Sequence, residues 1–212
     1  LYEYWQRGEY TPYTQDELIH LIADIKPAIP VYCRVNRIIR DIPSTNVVAG
    51  NKRTSLRMDV FAELKRRGED CRCIRCREVR GEKIDPARLR LVDTVYTASS
   101  PDGVTAEEHF LQFVTPNDKI AGYLRLSLPQ SSESGGAAPD LTAALPDLKG
   151  AALIREVHVY GQSLPVGKDH PGAAQHIGLG TALLAEAERV ARQYGFGRLA
   201  VIAAVGTRKY YE

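Results

Sequence analysis

Gln175-His-Ile-Gly178-Leu-Gly180 decides the fold of the second half of this 212-residue chain. It lies between the apolar run Ala151–Tyr160 and the amphipathic run Thr181–Tyr194. The first run reads as a strand and the second as a helix. A third run, Leu199–Val205, reads as a buried strand, and a further helix starts at Thr207. Strand, glycine loop, helix, strand is an α/β order. The glycines let the backbone approach a pyrophosphate, whose charge is stabilised by the free amides of a helix N-terminus. Taken alone, the loop reads first as a plain glycine-rich connection before a helix. It lacks the third spaced glycine of a dinucleotide site and the Gly-Lys-Ser/Thr of a Walker loop.

Moving back along the chain, Leu89–Thr97, Glu107–Val114 and Lys119–Leu128 read as short strands. Pro101-Asp-Gly103 and Pro116-Asn-Asp118 supply the turns. Residues 129–150 read as a flexible insertion or a long hairpin loop. Before Gly81 the texture differs. Thr14 and Glu17 form a capping box ahead of Leu18, Ile19, Ile22 and Ile25, and Lys26-Pro27 is expected to stop that helix. Val31–Arg40 alternates like a strand ended by Asp41-Ile-Pro43, and Asn46–Thr54 is a polar loop. A second helix runs from about Leu56 to Arg67 and stops at Gly68.

Length suits one large or two small domains, and 25% charged residues exclude wholesale disorder. No run reaches the roughly 20 apolar residues of a membrane span, so no membrane partner and a cytoplasmic location are expected. Leu1 at the start and a helix interrupted at Glu212 suggest a piece of something longer. The net charge of +2 hides an asymmetry. Residues 1–30 carry −3, residues 31–80 carry +7 and residues 81–212 carry −2. The basic residues Arg34, Arg37, Arg40, Lys52, Arg53 and Arg57 suit phosphate contacts, or else a solvated charged face.

Cys71-Arg-Cys73-Ile-Arg-Cys76 packs three of the four cysteines into six residues. So short a loop strains disulfides, and the neighbouring Arg72, Arg75 and Arg77 favour thiolates. A closed structural zinc site is favoured over unliganded thiols, with an iron–sulfur cluster behind both. Cys33 is the first choice for fourth ligand and His20 the second.

These motifs carry a resemblance. The strand–loop–helix–strand order with Arg208-Lys-Tyr-Tyr211 resembles the coenzyme-A-binding core of the GCN5-related N-acetyltransferases. Three segments narrow it: Ile154-Arg-Glu-Val-His-Val-Tyr-Gly161, Gln175–Gly180 and Val205-Gly-Thr-Arg-Lys-Tyr-Tyr211. With Tyr10-Thr-Pro-Tyr13, Arg37–Pro43 and Cys71–Val79, they resemble the Elongator catalytic subunit family over nearly the whole chain outside 129–150. The resemblance implies an α/β (α+β) chain in three parts. Residues 1–68 would be the C-terminal part of a radical-SAM partial barrel, basic and tRNA-facing. Residues 69–80 would be a zinc-binding linker, and 81–212 an acetyltransferase domain truncated at its C-terminus.

The family modifies the wobble uridine of tRNA anticodons, which implies acetyl-CoA as acyl donor and 5-carboxymethyluridine as product. It also implies SAM and a 4Fe-4S cluster whose ligands are not in this chain, and accessory Elongator-type subunits. Carried over by position, acetyl-CoA contacts fall on Glu156, Val157, His158, Val159, Gln175, Gly178, Leu179, Gly180, Thr181 and Tyr211. Tyr210 or Tyr211 is the candidate general acid toward the departing sulfur, and Glu156 the candidate for positioning water. Each has a plain alternative: Glu156 paired with a local arginine, His158 satisfied within its strand, the tyrosines packed together. Two other functions compete: a protein lysine acetyltransferase, and a zinc-stabilised RNA-binding module with a silent acetyltransferase half.

Overall fold

The computed structural model describes residues 1–40, 42–99, 105–129, 145–160, 178–203 and 205–211. The chain divides into two compact units, Leu1–Arg77 and Glu78–Glu212.

The first unit is helical: α1 (Tyr2–Gln6), α2 (Gln15–Ala28), α3 (Leu56–Arg67) and α4 (Ile74–Arg77). The capping box forms as read. The Glu17 N–H donates to Thr14 Oγ1 at 3.2 Å, and the Thr14 N–H donates to Glu17 Oε2 at 2.7 Å. Thr14 is exposed, so little else depends on its side chain. Thr14→Ala is expected to cost about 1 kcal/mol, visible as a lower urea midpoint at unchanged slope. A midpoint equal to that of the parent would contradict it.

Two readings are corrected here. Helix α2 does not stop at Lys26-Pro27; Pro27 lies inside its last turn and the helix runs to Ala28. Val31–Arg40 is not a strand. No described residue of this unit offers a strand to pair with. Instead Val35, Ile38 and Ile39 pack onto the α2–α3 core of Ala23, Leu56, Val60 and Leu64. Helix α3 ends as expected, with Gly68 left-handed at φ 70°.

The second unit is a five-stranded mixed sheet in the order β1-β2-β3-β4-β5. The strands are β1 (Arg90–Ser99), β2 (Thr105–Val114), β3 (Ile120–Pro129), β4 (Ala151–Val159) and β5 (Arg198–Val201). The first four pair antiparallel, and β5 is parallel to β4. Helix α5 (Leu179–Gln193) covers one face, with Leu183, Ala187, Val190 and Ala191 against Leu111, Leu124, Leu126 and Ile154. A short turn leads into α6 (Arg208–Tyr211). The expected strand through Val205 ends at Val201, the last residue paired to β4. The Pro101–Gly103 turn and most of the 129–150 insertion lie outside the described residues.

Candidate acyl-transfer and thiolate sites

The antiparallel register between β3 and β4 slips once. Arg125 faces Glu156 but Leu126 faces Ile154, so Arg155 is skipped. On its other side β4 pairs with β5 only from Ala151 to Ile154. Among the described residues, the backbone edge of 155–159 therefore has no strand beside it on the β5 side. Backbone groups left open this way will accept an extended ligand as an extra strand.

That edge leads toward the start of α5. Gly178 is the N-cap residue, left-handed at φ 71°, and among the described residues no side chain accepts the first-turn amides. Gly180 is buried and leaves room for a tyrosine: a Cβ there would come within 2.1 Å of Tyr210 Oη and 3.8 Å of Val159 Cγ2, so Tyr210 would have to move. Of the two candidate tyrosines, Tyr210 thus brings its hydroxyl to the N-terminus of α5. Tyr211 stands edge-on to it, ring centroids 5.1 Å apart. Leu179 is buried, while Thr181 is exposed on the first turn. Val157 packs toward α5 in the apolar core. Gln175 lies outside the described residues.

Strand alternation sends Glu156 and His158 to the opposite face. Tyr123 Oη donates to Glu156 Oε1 at 2.5 Å, and Arg125 Nε donates to Glu156 Oε2 at 3.1 Å. Arg125 also reaches Tyr96 Oη at 3.4 Å. Burial, and then the Glu156 carboxylate, push the Tyr123 phenol well above its ordinary value, so it remains a donor. His158 stacks on Tyr123 at 5.8 Å and leans on Tyr160 at 4.7 Å. Arg155, freed by the slip in register, pairs with the buried Glu108 at 3.2 Å. The arginine-paired reading of Glu156 matches this geometry. Its carboxylate is oriented by two donors rather than left free.

In the first unit, the Sγ atoms of Cys71, Cys73 and Cys76 all lie within 4.8 Å of one another. The Cys73–Cys76 separation is 3.5 Å. Tetrahedral zinc with bonds of about 2.3 Å needs sulfurs roughly 3.8 Å apart, so these three fit a metal. Hydrogen bonds from the Cys71 and Cys76 thiols push Cys73 toward the thiolate. The Cys33 thiol is not in that group, although its carbonyl accepts from the Ile74 N–H at 2.9 Å. His20 is engaged elsewhere, 3.0 Å from Arg67 Nη2 and 3.4 Å from Glu63.

The six basic candidates divide. Arg37, Arg40 and Lys52 are exposed, with no ion pair among the described residues. Arg53 is exposed but bound to Asp59. Arg57 is half-buried against Phe61 and the Val35 carbonyl, and Arg34 is half-buried. Lys52 and Arg53 line an open groove of about 570 Å³ with Pro12, Tyr13 and Gln15.

Three residues, Tyr123, Arg125 and Lys26, escaped the sequence reading although a signal existed. In Gly122-Tyr-Leu-Arg-Leu126, tyrosine and arginine alternate with leucines, which marks them for the face away from α5. Lys26 follows Ile22 by four and Ile19 by seven, an apolar position for a charged residue.

A model described as the Radical_SAM C-terminal domain matches residues 1–66. The whole chain is 41% identical over 219 residues to a protein of Dehalococcoides mccartyi named tRNA uridine(34) acetyltransferase, covering 44% of it. It is 39% identical to Elongator complex protein 3 of Bos taurus and 38% to that of Schizosaccharomyces pombe, covering 37% and 38% of those proteins. The archaeal Methanocaldococcus infernus Elp3 with an N-terminal deletion superposes with a TM-score of 0.76 at 34% identity. That match covers 99% of this chain and 48% of the other. The chain thus spans less than half the length of the curated relatives it matches. No described helix is long and apolar enough to cross a membrane.

Proposed function

All 212 residues match the Elongator complex protein 3 / tRNA uridine(34) acetyltransferase family, and from that premise we propose that this chain is the acyl-donor half of a tRNA-modifying acyltransferase. The substrate is the anticodon wobble uridine, the acyl donor acetyl-CoA and the product 5-carboxymethyluridine. The SAM and 4Fe-4S chemistry that activates the acetyl methyl belongs to the intact protein. The observation that carries the reading is the edge of 155–159, unpaired on its β5 side among the described residues, running to the N-terminus of α5, where no described side chain takes the first-turn amides and Tyr210 stands alongside. A pantetheine arm suits such an edge as a pseudo-strand, and a pyrophosphate suits the free amides. We read the second unit accordingly as a GCN5-related N-acetyltransferase fold.

Tyr210 is the general acid of this reading, donating its phenolic proton to the leaving thiolate. Glu156, fixed by Tyr123 and Arg125, orients a group near the thioester. Cys71, Cys73 and Cys76 hold a structural zinc, which tethers the segment after α3; Cys33, whose carbonyl accepts from Ile74 beside the cluster, is the fourth ligand of this reading once its thiol turns in. Arg37, Arg40 and Lys52 contact tRNA phosphates.

The test is release of free CoA from acetyl-CoA by the full-length protein, with total tRNA or with a histone-like peptide. Release triggered by tRNA supports the proposal; acetylated peptide without tRNA-triggered release overturns it. Tyr210→Phe should slow tRNA-triggered release about 100-fold, with acetyl-CoA affinity nearly unchanged. Equal rates in Tyr210→Phe and the parent would remove the acid role.

A further inference from the structure

The thiolate cluster has a buried neighbour that no role above uses. Lys26, in the last turn of α2, is 1% exposed. Its Nζ lies 3.9 Å from Cys76 Sγ and 5.0 Å from the centre of the Phe61 ring. Among the described residues it has no carboxylate partner. The acidic side chains of the packed helices are otherwise engaged: Asp24 with Arg67, and Glu63 with Arg66 and Arg67. The ammonium does not reach solvent by extension, because the whole side chain is enclosed.

A buried ammonium is retained only beside compensating negative charge. Free thiols supply it only in part, whereas a bound metal holds every ligating sulfur as thiolate; the Phe61 ring supplies only a weak quadrupole. A divalent cation bound by three thiolates carries a net −1, and by four a net −2. We propose that Lys26 is the internal counter-cation of a net-negative metal–thiolate centre at Cys71, Cys73 and Cys76, and positions and retains the metal there. This rests on the zinc reading above. It adds that the buried charge on α2 and the metal depend on each other. Removing the lysine weakens the metal, and removing the metal leaves the lysine stranded.

That mutual dependence predicts a change of sign. Methionine matches the lysine stem in length and flexibility without the charge. In full-length protein loaded with zinc, Lys26→Met should release the metal to a chelator about 10- to 100-fold faster and melt at a lower temperature. After the metal is stripped, the same substitution should melt at or above the parent, because an apolar tip has replaced an unpaired ammonium. A residue that merely fills space would lower the melting temperature in both states. Should Lys26→Met fail to take up zinc, the pair Cys73→Ser and Cys73→Ser/Lys26→Met gives the same sign, the double variant being the more stable. Parent protein purified without zinc overturns the zinc reading and this inference together. Stoichiometric zinc with equal release rates, or a destabilisation that persists without metal, overturns this inference alone.

Discussion

Cys73→Ser is expected to empty the thiolate centre and to lower the stability of the first unit by roughly 3 kcal/mol or more. Cys73 is fully buried in the same apolar cluster as Leu56, Val60 and Leu64. Its sulfur is 3.5 Å from Cys76, and the two neighbouring thiols favour its ionised form. Serine is smaller, binds zinc poorly and leaves a hydroxyl in an apolar enclosure. It also removes a negative charge from beside Lys26. Metal content and thermal unfolding of the purified variant check the prediction. Stoichiometric zinc with an unchanged melting temperature would refute it. Cys33→Ser makes the useful contrast. If Cys33 closes the coordination shell, it should release zinc faster than the parent while retaining more stability than Cys73→Ser, because Cys33 is only half-buried.

How much of this was legible in the sequence follows from which forces are local. The capping box at Thr14 and Glu17, the left-handed Gly68 and the four antiparallel strands follow from nearby residues, and the sequence reading located them. Val31–Arg40 misled because alternation of apolar residues records only that one side is buried. A strand also needs a partner ladder, and a helix pair supplies packing without one. Pro27 misled in the opposite direction, since the last turn of a helix tolerates a residue that interior turns do not. The slip that skips Arg155 is invisible to periodicity, yet it frees Arg155 to reach Glu108. Likewise the three clustered cysteines were legible as one site, whereas Lys26 reaches them from a helix fifty residues earlier. Only the fold brings that charge and those sulfurs together.

Gly180→Ala is expected to separate turnover from stability more sharply than any other single change in the second unit. The new methyl group would occupy the space of Tyr210 Oη, 2.1 Å from its ideal position, and the tyrosine must give way. Giving way is cheap, because Tyr210 is half-exposed and on a terminal turn. Alanine is also the better helix former, worth up to about 1 kcal/mol in the opposite direction. The melting temperature should therefore change little. Release of CoA triggered by tRNA should fall about 100-fold, since the hydroxyl no longer sits at the α5 N-terminus where the thioester sulfur would arrive. The two substitutions act on one contact, so Gly180→Ala combined with Tyr210→Phe should be scarcely slower than either alone. Multiplicative losses would mean that Gly180 serves the cofactor directly, through close approach of its backbone, and that the tyrosine acts independently. Undiminished turnover in Gly180→Ala would remove Tyr210 from the chemistry and return the acid role to Tyr211 or to water.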